Sequence, residues 1–489
     1  MKADEDLGGI VFLQIALGAE RIIGKPKVRC QRTISGQYVF PETSILKMRV
    51  GDHASLHRYR IKGAPGVSGS TGSSPYNFVM RVVAIGVLAF SVLLQLVHAQ
   101  DSTTNLRSLY DSHRWFELRD EVTRTAAPRF YEGAVAAAFN QVPKAEKNLR
   151  LVIAHDPSGD SGLEARELLI ALFYRTGHYH EALAEAEALL TQKPSAADIA
   201  NILPTLQVLS EYGSQSVGKR LPGTVKIDVE DENLVLPVDV NGISGHYIFD
   251  NGFSLSGISE SEAQRLRLDV HDVATNIDSM SGTQVKIRIA VADRLVVAGV
   301  HLHNVAFYVL PDDRPPFNQL SAERRGILGL PVILALGHFK WSAGDHTFTV
   351  LPTSEAAQGS KANLAFDGTG TLCRPIFEGK LVDFSLDLGA QNTVLYPSFG
   401  DSFPAIKAAG LPENHQVTGV GGSANIDSVS IPSLMLTVGG RPVALKPAHL
   451  LLHDNNSTSN RFSGNLGMDL LNQARSVEID FQSMTLALH

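Results

Sequence analysis

Cysteine is nearly absent: Cys30 and Cys373 are the only two in 489 residues. That scarcity excludes a disulfide-dense scaffold and any structural zinc site built on several thiolates. A basic excess is missing as well. The chain carries 43 Lys+Arg against 50 Asp+Glu, net −7, and this balance points to neither nucleic acid nor anionic lipid as a partner. The most apolar stretch, Val82 to Val97, holds no charge. A membrane-spanning helix needs about 20 such positions, so the run is short for one. What is present is an ordinary globular mixture, 44% hydrophobic and 19% charged, which excludes a mainly disordered, collagen-like or multi-span membrane chain. The length suits about three domains.

The stretch Met80 to Gln100, MRVVAIGVLAFSVLLQLVHAQ, has the three parts of a secretory signal. Arg81 is the positive start, Val82–Val97 the apolar middle, and Val97-His98-Ala99 a cut site before Gln100. This predicts a signal peptide at 80–99 and an exported protein, periplasmic or extracellular. Met80 is then read as the working start, with 1–79 a spurious or disordered N-terminal extension. The alternative is an uncleaved membrane anchor with 1–79 as its tail. Setting aside the 12 basic and 6 acidic side chains of 1–99 leaves 31 basic against 44 acidic, or −13 for 100–489. Only Cys373 remains, in an apolar segment, and is expected to be a small core residue.

Residues 100–215 read as helical. In Leu163 to Pro194, apolar residues recur at three-four spacing through Leu168, Leu169, Leu172 and Phe173. The pattern breaks at Thr176-Gly177, restarts at Tyr179, Ala182 and Leu183, and stops at Pro194. Ala134 to Pro157 has the same shape, and Leu106 to Thr123 a weaker version. The units resemble tetratricopeptide repeats, with a cap near Ile199–Tyr212; a generic helical bundle is the other reading. Stacked repeats offer a concave face for a protein partner.

After Gly223 the pattern becomes all-β: short runs of Val, Ile, Leu and Phe between Gly, Asn and Asp. Two segments, 222–355 and 361–489, carry the same landmarks. Asn241-Gly242 is a type I′ turn signal leading into Ile248-Phe249-Asp250-Asn251-Gly252. Glu378-Gly379 leads likewise into Leu386-Asp387-Leu388-Gly389. The two Asp-X-Gly units are offset by 137 in the numbering, and so are Met280-Ser281-Gly282 and Val417-Thr418-Gly419. Gly326-Ile327-Leu328-Gly329 recurs as Gly464-Asn465-Leu466-Gly467, offset by 138.

This order, an apolar strand into Asp-X-Gly, a Gly-containing hairpin, then Gly-X-Leu-Gly, resembles the bacterial retropepsin-like aspartic peptidases with two tandem lobes. The likeness covers 222–489, slightly over half the chain. It implies a multidomain α + all-β protein: helical repeats, then duplicated acid-protease β-barrel lobes. It implies an endopeptidase acting on peptide or protein substrate without cofactor or metal, with Asp250 and Asp387 catalytic. Two carboxylates about 3 Å apart share one proton; one activates water and the other donates to the developing oxyanion. Gly252 and Gly389 would let the Asp loops approach. Ser254 would bond the carboxylate, Gly282, Gly419 and Gly421 would lie in flaps over substrate, and Leu328 and Leu466 would brace the loops.

The chain departs from that pattern where Thr or Ser usually follows the Asp. Asn251 and Leu388 stand there, and Leu cannot donate across the interface. A hydroxyl at 388 is expected to tighten the pair. Three readings stay open: a working peptidase, a catalytically degenerate peptide-binding relative, or a structural β domain. Elsewhere, His301 and His303 share a strand face without a local carboxylate and are read as an exposed face. His178-Tyr179-His180 is read as a solvated turn.

Overall fold

The computed structural model describes residues 105–489, except 222, 231–232, 279–283, 322–323, 353–361, 420–421 and 454–460. The extension 1–79 and the export segment 80–99 lie outside the described residues, as do Gly282 and Gly421. No helix among the described residues is long and apolar enough to cross a membrane.

Helices cover 105–111, Trp115–Arg124, Arg129–Ala138, Val142–His155, Asp160–Arg175, Tyr179–Gln192 and Ala197–Ser210. From Trp115 onward each packs on the next. Their apolar stripes explain why: Leu169, Leu172, Phe173, Ala182, Ala186 and Leu189 are fully or almost fully buried. Alanine and glycine at the contacts let backbones approach; a Cβ on Gly133 would stand 2.7 Å from Leu149 Cδ2. Gly177 has φ +76°, the left-handed conformation that ends the helix at Arg175. The next helix starts at Tyr179. Tyr179 is buried, so only the flanks of the His178-Tyr179-His180 turn face outward.

The β region begins at Ser216, earlier than the composition change at Gly223 suggests. In the first β segment six strands form a ring: Asn233–Val240, Ile243–Phe249, Gly326–Leu328, Ser256–Ser259, Val300–Leu310 and Gln284–Val297. The last pairs with both Val300–Leu310 and Asn233–Val240, which closes it. Asn241 and Gly242 have φ +51° and +87°, the type I′ turn their sequence calls for.

The second segment repeats much of the pairing. Leu328 lies beside Phe249 in parallel, and Leu466 beside Leu386 in parallel. Gly326 and Ile327 oppose Ile258 and Gly257, and Gly464 and Asn465 oppose Leu395 and Val394. Glu378 and Gly379, at φ +48° and +77°, repeat the turn of Asn241 and Gly242. Among the described residues the ring does not recur, however. The strands flanking this turn are only Ile376–Phe377 and Lys380–Leu381, and they join Leu434–Val438 and Arg441–Leu445 in a separate four-stranded sheet. Ile376 and Leu381 are exposed, so this hairpin has too little apolar surface facing inward to close the larger sheet.

A five-stranded sheet joins the segments, running Thr224–Lys226, Thr347–Val350, His338–Ser342, Val477–Asp480 and Thr485–Leu488. Its central register pairs Phe339 with Ile479, Lys340 with Glu478 and Trp341 with Val477. The offset of 138 carries Phe339 to Val477, Lys340 to Glu478 and Trp341 to Ile479. The two outer pairs therefore exchange, as pairs do across a twofold axis, with Lys340–Glu478 on it. Phe249, Phe348 and Phe481 pack on Phe339 at centroid distances of 5.3, 5.3 and 6.1 Å, so the sheet is continuous with the core.

Candidate active site

Each Asp-X-Gly loop starts where an apolar strand ends. Phe249 is fully buried and Leu386 nearly so, which fixes the strand ends. The next backbone N–H in each case is held from the side: Asp250 N–H donates to Leu328 O, and Asp387 N–H to Leu466 O, both at 3.0 Å. The Gly-X-Leu-Gly units thus anchor the loops. Gly329 N–H donates to Ser256 Oγ (3.1 Å) and Gly467 N–H to Thr393 Oγ1 (2.9 Å), two hydroxyls at matching positions of the two segments.

The two loops bring the Asp250 and Asp387 carboxyl groups side by side around Gly252 and Gly389. A Cβ built on Gly252 would stand 2.9 Å from Asp387 Oδ1 and 3.0 Å from Asp250 Oδ1. One built on Gly389 would stand 2.1 Å from Asp250 Cγ. No side chain fits at either glycine without displacing a carboxyl group, and that close approach is what they provide. Both Asp residues are half-buried.

Their surroundings differ. Asp250 Oδ1 accepts from Gly252 N–H (2.7 Å). Asp387 Oδ1 accepts from Gly389 N–H (2.9 Å) and Ala390 N–H (3.1 Å), and its Oδ2 faces Asn465 Nδ2 at 3.3 Å. Ser385 Oγ donates to Asn465 Oδ1 (2.8 Å) and so orients that amide. Enclosure of its carboxyl, then the adjacent Asp387, push Asp250 well above its ordinary value of 3.8; the Gly252 N–H opposes this weakly. Two such adjacent carboxyl groups titrate as a pair. The arrangement can hold one proton and one water between two carboxyl groups.

The absent hydroxyl at Leu388 is compensated from the other side. Asn251 Nδ2 donates to Leu386 O (2.8 Å) while Asn251 Oδ1 accepts from Leu388 N–H (2.7 Å). One buried amide therefore meets both backbone groups of the opposite loop. Ser254 is placed differently from expectation: its Oγ lies against Tyr308 OH (3.2 Å), which in turn meets Tyr174 OH of the helical region at 2.6 Å. Its hydroxyl supports the loop and helix interface rather than a carboxylate. Gln391 is exposed. Gly419 pairs with Gly422 at the tip of the hairpin Leu411–Gly419 and Gly422–Ile431. Asn465 is the site residue that sequence reasoning passed over. Its signal was a polar residue in a Gly-X-Leu-Gly unit whose counterpart is Ile327.

Residues 236–332, which include the Asp250 loop and its brace Gly326–Gly329 but not Asp387, match the family model described as aspartyl protease. No curated protein matches the chain. Among solved structures, a retropepsin-like aspartic protease from Rickettsia conorii is similar at 16% identity, covering 28% of this chain and 92% of that one, with a TM-score of 0.20.

Proposed function

We propose that the protein is a retropepsin-like aspartic endopeptidase whose two lobes come from one duplicated chain. The observation that carries this is the juxtaposition of the Asp250 and Asp387 carboxyl groups, on loops braced alike at matching positions of the two segments. The exchange of pairs about Lys340–Glu478 supports a pseudo-twofold relation between the lobes. Asp387, facing three N–H donors, takes the proton of the bound water, and the water attacks the scissile carbonyl. Asp250 donates to the developing oxyanion. Substrate would lie extended between the lobes beneath hairpins carrying Gly282, Gly419 and Gly421, with Gly252 and Gly389 at the floor. The signal-like segment 80–99 supports export, and the run of helices, each packed on the next, supports tetratricopeptide-like repeats that recruit a partner or the substrate protein.

The test is cleavage of a diverse peptide library by purified residues 100–489 across about pH 3 to 7, the range set by carboxyl titration. Activity is expected at acid pH and falls as pH rises through the raised Asp250 value, because the proton donor is then lost. Asp250→Asn and Asp387→Asn should each abolish it. Peptide binding without cleavage, equal in wild type and both Asn variants, would make the protein a peptide-binding relative instead.

A further inference from the structure

The second β segment brings together three side chains that the paired Asp loops do not use. Glu413 and His415 lie two apart on the strand Leu411–Gly419 and so share one face. In the adjoining ladder Glu413 opposes Ser428, and Ser430 opposes His449 of the strand Ala448–Leu451. That register puts His449 on the same face, two strands away from Glu413. One ligand atom from each of the three lies within 4.8 Å of the others. All three residues are half-buried.

We propose that Glu413, His415 and His449 form a binding site for a zinc-class divalent cation, which clamps the edge strand of this hairpin to the body of the sheet. Two imidazoles and one carboxylate suit zinc and its neighbours, whereas calcium and magnesium take all-oxygen sets. A tetrahedral ion with bonds near 2.0–2.2 Å sets its ligand atoms about 3.3 Å apart, so small side-chain rotations close the triangle. A water fills the fourth position.

Three features favour a cation over a plain ion pair. Glu413 Oε1 already faces His449 Nδ1 at 2.5 Å, so an ion would replace the shared proton once the two atoms move apart by under an ångström. The His415 and His449 rings stack with centroids 4.1 Å apart and planes 22° from parallel, a contact an isolated Glu–His pair does not require. The buried Ser428 hydroxyl reaches Glu413 Oε1 at 3.2 Å, the kind of outer contact that orients a ligating carboxylate.

The consequence is mechanical. Leu411–Gly419 is the last strand of its sheet and, among the described residues, pairs only with Gly422–Ile431. A cation would tie it across that strand to Ala448–Leu451 and stiffen the hairpin that ends at Gly419 and Gly422.

The experiment is calorimetric titration of the chelator-treated full chain with zinc chloride at pH 7.5, in wild type and in His415→Ala, His449→Ala and Glu413→Gln. Wild type should bind one equivalent that each variant weakens at least tenfold. Cobalt(II) at the same site should give a visible band of tetrahedral coordination, lost in His415→Ala. His449→Ala could unfold the sheet, so circular dichroism accompanies it, and His415→Ala on the edge strand stands as the independent variant. No equivalent bound, or an isotherm unchanged in His415→Ala and Glu413→Gln, overturns the site. Zinc binding is read without any cleavage assay, so its outcome is separate from that of the peptidase reading.

Discussion

The Asn251 amide satisfies both Leu386 O and Leu388 N–H, the two backbone groups that a hydroxyl at position 388 would have been expected to help order. Asn251→Ala leaves both groups buried without partners and should cost about 2–4 kcal/mol in urea unfolding, with a matching loss of cleavage. Leu388 is fully buried, so Leu388→Thr puts a hydroxyl into apolar surroundings at about 1–3 kcal/mol. It should leave cleavage no higher than wild type, the reverse of the sequence expectation; a clear gain would show that the Asn251 bridge is incomplete. The raised Asp250 carboxyl gives a second residue-scale test. A carboxyl whose folded value exceeds 3.8 binds more protons folded than unfolded, so its contribution to stability falls as pH rises through the folded value. Asp250→Asn removes that penalty. Thermal melts should show the variant more stable than wild type at pH 7, with the gap closing near pH 3.5; parallel curves would mean that Asp250 is not the proton carrier.

At the scale of elements, the site depends on where strands stop. Ile243–Phe249 and Phe384–Leu386 both end at an Asp because Leu328 O and Leu466 O capture the next N–H and turn the chain out of the sheet. The apolar alternation of Gly326–Leu328 and Gly464–Leu466 fixes those carbonyls by burying Leu328 and Leu466. Asn465 in place of Ile327 in the second unit costs the core little, since Ser385 satisfies the amide, and it gives Asp387 a donor that Asp250 lacks. The helices meet the β region in the same explicit way. Tyr174 reaches Tyr308 and through it Ser254, while Arg374 spans Glu117 and Asp383 and lies 4.0 Å over the Phe116 ring.

For the whole molecule these contacts predict cooperativity. Asp367 of the second β segment accepts from Trp115 Nε1 and faces His113 Nδ1. Arg175 is buried with its guanidinium on Gly368 O and Ala137 O and over the Phe366 ring. Thr205 donates to Thr275, and Gln215 to Pro331 O. Helices therefore bind both β segments through buried polar groups, and separating them would strand an arginine and several hydrogen bonds. Calorimetry of residues 100–489 should show one unfolding transition, with calorimetric and van't Hoff enthalpies equal. Two resolved transitions would mean that the helical region is an independent domain.

The sequence by itself determined the local and periodic features. Three-four spacing located the helices, Gly177 and Pro194 their ends, and Asn241-Gly242 a hairpin turn, because each follows from backbone preference over a short stretch of chain. Repetition at a nearly constant offset made the two Asp loops and their Gly-X-Leu-Gly braces legible together. Tertiary structure alone decided everything that depends on which atom faces which. It turned Ser254 toward Tyr308, gave both cross-loop hydrogen bonds to Asn251, and, among the described residues, left the second segment without the closed ring of the first. It also assembled Glu413 and His415 with His449, which sits on a much later strand, through a register that no local pattern encodes.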